Sequence, residues 1–448
     1  MSAFKAYDIR GVYDRDFTAG DVYRIGYFLP GLLNSSKVLV GRDVRVSSPA
    51  IYTALTDGIR DAGADVYDLG LATTPFVYWS TAQYGFDLSV MITASHNPKE
   101  YNGLKISRTN ALPVGFDTGL AELELKVKGE EPVVPKPKGQ IHSFDKHADY
   151  VAFLKSFGFV FDSLKLSVDC SNGMAALFVK DLLGDKPFYL FDELDGSFPN
   201  HEPNPLEEHN LLALQEAVKT YKSDIGVIYD GDADRVMFVD ENGKFIPPDL
   251  MIAVAGHYFL EQKGLRGNVL QDIRTSRSVS EYIEKMGGTM HMWRVGRAYA
   301  ALKLREIDGI FGGELAGHYY FRDFYYSDSG LLASLLLLDT IARFQAQGVK
   351  VSELVARIAK YYNSGEINFK LNRKQEAMDA LRKHFEAQET VTAFYDFDGY
   401  RVEFKDWWFN VRPSNTEPYL RFLAEAGTQA LLDKVVREAR EIVEGFAD

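Results

Sequence analysis

LSVMITASHNPKEYNGLKI, residues 88–106, is the stretch around which the chain organises itself. Its first five residues, Leu88 to Ile92, are apolar and β-favouring, the pattern of a buried strand. The next six, Thr93 to Pro98, are polar and end at a proline, the composition of a loop at the strand's carboxyl end. Open α/β sheets bind their ligands at that end. Ser95 is flanked there by His96, a proton acceptor, and Asn97, with Lys105 close behind to stabilise an anion forming on the serine oxygen. Ser95 is therefore a candidate nucleophile. Ser-His-Asn-Pro is equally the composition of an ordinary turn, and the stretch alone does not separate the two readings.

A second pattern recurs along the chain. Lys37 to Asp43 precedes Ser47-Ser48-Pro49, Leu164 to Asp169 precedes Ser171-Asn172-Gly173, and Gly267 to Asp272 precedes Arg274-Thr275-Ser276. Each is an apolar strand, a polar loop and a helical pattern. Ser48 is expected to cap its helix, with Pro49 at the first helical position. The recurrence predicts α/β domains with a similar core. A chain of 448 residues exceeds what one hydrophobic core supports, and length alone suggests about three domains, up to four. The proline-rich segment Gly129 to Gly139 cannot continue a helix and reads as a connection. Between Ile225 and Val239 a strand, a polar loop and a strand follow one another, with Glu241 to Lys244 as the next turn. The last segment, from about Ser364, ends in a strand-rich stretch, Tyr400 to Arg421, and a helix beginning near Thr428. The expected domains are 1–143, 144–245, 246–362 and 363–448.

The formal charge of −13 argues against a nucleic-acid binder, whose affinity comes from accumulated Lys and Arg. Any phosphate site must be local. Cys170 is the single cysteine, so no intrachain disulfide and no thiolate metal cluster can form. The amino terminus carries Lys5, Asp8 and Arg10 and no signal-peptide apolar region. The richest apolar run, Leu331 to Leu338, is too short to span a bilayer. A cytoplasmic protein without membrane partners is expected.

Four more motifs carry chemistry. Asp230-Gly-Asp-Ala-Asp-Arg235 places three carboxylates at alternate positions after an apolar strand. Like charges so close need a cation, and oxygen-only ligands select a hard divalent ion such as magnesium. A solvated acidic turn is the bland alternative. A calcium-binding EF-hand loop is excluded, since Arg235 stands sixth where that loop needs glycine and the flanks read as strands. Gly312-Gly-Glu-Leu-Ala-Gly-His318 is glycine-rich and by itself weak. Arg412-Pro-Ser-Asn-Thr-Glu-Pro418 combines a guanidinium, two hydroxyls and an amide, which suits a phosphate, an ordinary turn being the bland alternative. Ala6-Tyr-Asp-Ile-Arg-Gly11 offers Arg10 as an anion contact beside a glycine. Tyr7 in it is equally a packed aromatic with its hydroxyl satisfied.

Together these stretches resemble the α-D-phosphohexomutases, the family of phosphomannomutases, phosphoglucomutases and phosphoglucosamine mutases, over nearly the whole chain. TASHNPKEYNGLKI is similar to their phosphoserine loop, DGDADR to their metal loop, GGELAGH to their sugar loop, RPSNTEP to their phosphate loop and AYDIRG to their opening. The resemblance implies three similar α/β domains with mixed sheets plus a smaller α+β C-terminal domain. It implies that Ser95 carries a phosphoryl group, and that magnesium is held by Ser95, Asp230, Asp232 and Asp234. It casts Arg10, His96, Lys105, Arg235, Arg274, Arg297 and His318 in catalytic positions. Tyr7, Glu314, Arg412, Ser414, Asn415, Thr416 and Arg421 become substrate contacts. A hexose 1,6-bisphosphate is the implied intermediate and activator. Arg274 stands where many members carry lysine, Arg297 where many carry histidine, Ala316 where a serine is usual and Ala233 where glycine is common. Arginine cannot accept a proton near neutrality. His318 is left as the most suitable titrating group in the matched loops, with His96 orienting the serine loop.

The expected function is interconversion of the 1- and 6-phosphates of mannose or glucose, as a monomer or dimer. The competing readings are a phosphoglucosamine mutase, a phosphoserine hydrolase that releases phosphate, and a non-catalytic sugar-phosphate sensor.

Overall fold

The structure, a computed structural model, describes residues 3–133, 137–414 and 419–446. Among these residues the strands form four sheets. The first contains β1 Ile9–Val12, β2 Lys37–Arg42, β3 Asp65–Leu71, β4 Leu88–Ile92, β5 Tyr101–Arg108, β6 Leu112–Pro113 and β7 Ile141–Ser143. The second contains β8 Leu166–Asp169, β9 Phe188–Leu190, β10 Ile225–Tyr229, β11 Val236–Asp240 and β12 Phe245–Ile246. The third contains β13 Asn268–Asp272, β14 Thr289–Trp293, β15 Phe311–Gly313, β16 Tyr319–Phe321 and β17 Ser327–Asp328.

These sheets share one pattern. β2 lies parallel to β3 and β4, β8 parallel to β9 and β10, and β13 parallel to β14 and β15. The third strand of each group, β4, β10 or β15, then meets an antiparallel partner, β5, β11 or β16, which pairs antiparallel with β1, β12 or β17. The strands β2, β8 and β13 are the recurring apolar runs of the sequence. They are apolar without alternation because helices cover both faces of such a sheet.

The pattern decides where loops can be short. A parallel neighbour requires a crossover, whereas an antiparallel neighbour needs only a turn. The loops 93–100, 230–235 and 314–318 occupy the same joint in the three sheets, where parallel pairing gives way to antiparallel. They carry the serine, aspartate and glycine-rich motifs.

One continuous apolar core runs beneath the three sheets, through Met91, Val227 and Phe311. The run Leu331 to Leu338 lies in it, on the buried helix Gly330–Gln345. Among the described residues no helix is long and apolar enough to cross a membrane. The C-terminal region has β18 Tyr362–Asn363, β19 Ile367–Lys370, β20 Ala393–Tyr395, β21 Tyr400–Glu403, β22 Trp407–Pro413 and β23 Tyr419–Ala426. All its pairs are antiparallel, and with two helices and a separate core it is an α+β unit. Hydrogen bonds tie it to the third sheet's loops, with Arg401 donating to the Ile273 and Thr275 carbonyls at 2.8 and 2.9 Å.

One local expectation is corrected. The helix α2 Ser48–Asp61 has Ser47, not Ser48, before its first turn, without a side-chain cap. The Ser48 hydroxyl donates to the buried Asp43 carboxylate at 2.6 Å and accepts from the Asn102 amide at 3.0 Å, so its oxygen serves these partners and not the N–H groups of the helix end.

Helix α1 Ala19–Leu32 crosses α2 at a pair of glycines. A Cβ on Gly58 would lie 2.1 Å from the Tyr23 carbonyl oxygen, and one on Gly26 would lie 2.2 Å from that of Leu55. Such contacts force the helices apart. Gly58→Ala is expected to destabilise the protein by about 1–3 kcal/mol, read as a lowered thermal midpoint. Gly31→Ala on α1, where a Cβ meets nothing within 4 Å, is the control that should lose nothing.

Candidate active site

Ser95 adopts a left-handed backbone conformation, φ 52°, unusual for a residue with a side chain. The Thr93 hydroxyl accepts its N–H at 2.9 Å, and its own hydroxyl donates to Asp230 Oδ2 at 2.8 Å. Two domains therefore meet at this one contact. Gly231 permits it: a Cβ there would lie 2.6 Å from the Ser95 carbonyl oxygen. His96 Nδ1 lies 3.4 Å from the Ser95 hydroxyl. Loss of solvent and the charges of Arg235, Arg10 and Lys105 hold its imidazole well below the usual range, so it is neutral.

Asp230, Asp232 and Asp234 are at most 1 % exposed, and their carboxylates gather within 4.8 Å of one another. Ala233 between the last two stands at φ 58°, where glycine would be unstrained. Burial and the charges of Asp234 and Asp232 push the Asp230 carboxyl well up. Lys105 donates to Asp232 at 2.6 Å and to Asp234 at 2.5 Å, and Thr74 donates to Asp232 at 2.5 Å. Each of these bonds uses Oδ2. The Oδ1 atoms of Asp232 and Asp234 are buried without a hydrogen-bond partner among the described residues. Unsatisfied buried carboxylate oxygens beside a serine hydroxyl fit a hard divalent cation.

Arg235 leaves the same loop and donates from Nε to His318 Nε2 at 2.9 Å. His318 Nδ1 faces Asp328 Oδ2 at 2.7 Å. Burial raises the Asp328 carboxyl, but the hydrogen bond from His318 and the charge of Arg297 bring it below its usual range, so it accepts. The imidazole thus carries its proton on Nδ1 and offers its one lone pair to Arg235. Both ring nitrogens are thus engaged, Nδ1 by Asp328 and Nε2 by Arg235. Arg297 donates to Asp328 Oδ1 at 3.1 Å and lies 3.4 Å over the Tyr78 ring. Arg10 reaches Asn97 at 2.7 Å and pairs with Asp8, so it braces the serine loop.

A second cationic group lies on the third domain and the C-terminal unit. Arg421 donates to Glu366 Oε1 at 2.9 Å, while Arg274 and Arg412 lie 3.5 and 3.9 Å from Glu366 Oε2. Arg412 and Arg421 face each other across the β22–β23 pair. Burial and the like charge of Arg274 depress the Arg412 guanidinium. Three guanidinium groups converging on one carboxylate form an anion site, which Glu366 occupies with its own side chain. Glu314 accepts from the Tyr320 hydroxyl at 2.7 Å and the Gly296 N–H at 3.3 Å. Tyr7 donates to the Val295 carbonyl at 3.1 Å and packs on Tyr299. Asn415 and Thr416 lie outside the described residues.

One cleft of about 1530 Å³ joins these groups. Ser95, Arg235, Arg274, Glu314, Arg412, Ser414 and Arg421 line it, as do Tyr7, Arg10, His96, Lys105, Asp234, Arg297 and His318. Asp230 and Asp232 lie beneath that lining. The residues that sequence reading missed are Asp328, Thr74 and Glu366. Each is a common polar residue outside any motif, and only its place opposite a motif residue marks it.

The four regions match models of the phosphoglucomutase/phosphomannomutase family: α/β/α domain I over residues 1–132, domain II over 148–243, domain III over 247–362 and the C-terminal domain over 366–442. A protein of Xanthomonas campestris pv. campestris named as phosphohexose mutases is 37 % identical, over 99 % of this chain and all of its own. A phosphomannomutase of Escherichia coli K12 is 35 % identical, over 96 % of this chain and 98 % of its own. The crystal structure of a phosphoglucomutase/phosphomannomutase family protein from Burkholderia thailandensis superposes with a TM-score of 0.88 at 30 % identity, covering 100 % of this chain and 98 % of that one. The chain is an enzyme of the α-D-phosphohexomutase superfamily, within its phosphoglucomutase and phosphomannomutase domain families.

Proposed function

We propose that this enzyme interconverts the 1- and 6-phosphates of mannose or glucose through a phosphoserine at Ser95 and a hexose 1,6-bisphosphate. The observation that carries this reading is the pairing of two sites in one cleft. A serine touches a buried aspartate set, and a separate trio of arginines collects around a carboxylate. A sugar held by one phosphate at the arginines presents its opposite hydroxyl to Ser95.

In the forward direction the bond between phosphorus and the Ser95 oxygen breaks as a bond to the sugar hydroxyl oxygen forms, and the proton that the sugar hydroxyl gives up is balanced by the one that the departing Ser95 oxygen takes on. The bisphosphate then turns within the cleft and returns its other phosphoryl group to Ser95. Magnesium on Asp230, Asp232 and Asp234 supplies Lewis-acid stabilisation of the transferring group when bound. Arg235 and Arg297 stabilise its charge, and transfer of metaphosphate-like character needs little help from a base. Lys105 holds two of the carboxylates in place. Glu314 is the candidate partner for sugar hydroxyls, and Arg412 with Ser414 and Arg421 for the distant phosphate. Asn415 and Thr416 belong to the same proposed loop. Ala316 cannot make a serine's hydrogen bond, so sugar contacts rest more heavily on Glu314. The names of the relatives and the GGELAGH loop favour mannose and glucose over glucosamine. We assign the four working regions to 1–143, 144–245, 246–362 and 363–448, and place the enzyme in a reducing, cytoplasmic setting, consistent with a single buried cysteine.

Intact-mass measurement after incubation with glucose 1,6-bisphosphate tests the carrier. A phosphate-sized increment is expected on the wild type and none on Ser95→Ala, which should be inactive. An active Ser95→Ala, or release of free phosphate in place of hexose 6-phosphate, would sink the mutase reading. For the metal, a chelator should abolish turnover while leaving the fold intact, and magnesium should restore it. Asp232→Asn retaining the wild-type rate and magnesium dependence would remove that site.

Asp328 orients both His318 and Arg297, so Asp328→Asn should keep the fold and lower kcat by about 10- to 100-fold, as losses of outer orienting groups do. Steady-state kinetics beside a thermal melt decide this: an unchanged kcat means the two cations need no such support.

A further inference from the structure

The loop after the first strand of each repeat opens on a buried aspartate, Asp43, Asp169 or Asp272. Each accepts the backbone N–H two residues on, from Arg45 at 3.0 Å, Ser171 at 2.8 Å and Arg274 at 2.6 Å. In the first and third repeats that residue is an arginine. Arg274 lines the cleft. Arg45 instead reaches the underside of the Ser95 loop.

The Arg45 side chain is 0 % exposed. Its two terminal nitrogens donate to four backbone carbonyls of one short segment: Pro98 at 2.7 Å, Tyr101 at 3.0 Å, Ser95 at 2.7 Å and Asn97 at 2.7 Å. Its Nε lies 3.2 Å from Asp43 Oδ2. Phe198, from the second domain, covers the guanidinium at 5.1 Å, and Gly196 pairs with the Arg45 backbone. Four carbonyl oxygens turned inward repel one another and cost free energy unless donors meet them all. A planar guanidinium presents its donors in a fixed fork, whereas an ammonium has three on one atom. The same loop holds Ser95 at positive φ, a conformation that persists only where the surroundings impose it.

We propose that Arg45 is a positioning residue for phosphoryl transfer, which locks the backbone of residues 95–101 so that the Ser95 hydroxyl faces the aspartate set. This rests on the reading of Ser95 as the phosphoryl carrier.

The test is R45K, assayed for conversion of glucose 1-phosphate to glucose 6-phosphate in the presence of glucose 1,6-bisphosphate and magnesium. A misplaced carrier should lower kcat about 100-fold while KM for glucose 1-phosphate moves less than about twofold, because the distant phosphate site is untouched. The rate at which glucose 1,6-bisphosphate phosphorylates Ser95, followed by intact mass, should fall by the same factor. An unchanged kcat, or parallel losses in kcat, substrate affinity and thermal midpoint, would overturn the proposal by making Arg45 dispensable or merely structural. Should R45K fail to fold, D43N/R45Q replaces the buried ion pair with neutral amides and is read in the same way. Ser95→Ala run alongside separates the two ideas. If it retains activity, the carrier reading fails; if it is inactive while R45K matches wild type, only the role of Arg45 fails.

Discussion

Burying three aspartates within reach of one another sets the heaviest electrostatic demand that this fold meets. Taking one carboxylate out of water is costly, and adding two like charges compounds the cost. The fold meets it by converging cations and donors on the loop: Lys105 and Thr74 from the first domain, and Arg235 from the loop itself. Among the described residues Oδ1 of Asp232 and of Asp234 still has no hydrogen-bond partner, an arrangement that could hold a cation. The serine hydroxyl at its edge inherits that electrostatic setting.

The repeated sheet explains how loops far apart in sequence arrive together. Each of the first three domains places a short loop where parallel pairing turns antiparallel, and the shared apolar core fixes the domains against one another. The C-terminal unit has its own core and is joined to the third domain by hydrogen bonds, notably from Arg401 and Arg277. Its arginines complete the anion site with Arg274. A carboxylate from the same unit, Glu366, sits among them and balances part of their charge.

Much of the fold was legible in the chain. The apolar runs before Asp43, Asp169 and Asp272 are the central strands of three like sheets, and Thr428 caps the last helix as its residue type suggests. These follow from local patterning, which a strand or helix end carries in its own residues. The serine and aspartate motifs were legible for the same reason, since each is a contiguous string. The Ser48 hydroxyl does not cap its helix because Asp43 and Asn102 engage it, partners that local pattern does not reveal.

The elements and the contiguous motifs are thus written locally, in neighbouring residues. Only the folded chain shows that Asp328 and Arg235 engage the two ring nitrogens of His318. It also decided that Glu366 stands among three arginines and that Arg45 serves the Ser95 loop rather than the cleft. These roles depend on which side chain lies opposite which across domains. A single chain read in order carries no trace of such pairings, because hydrogen-bond direction and charge balance exist only once the partners have met.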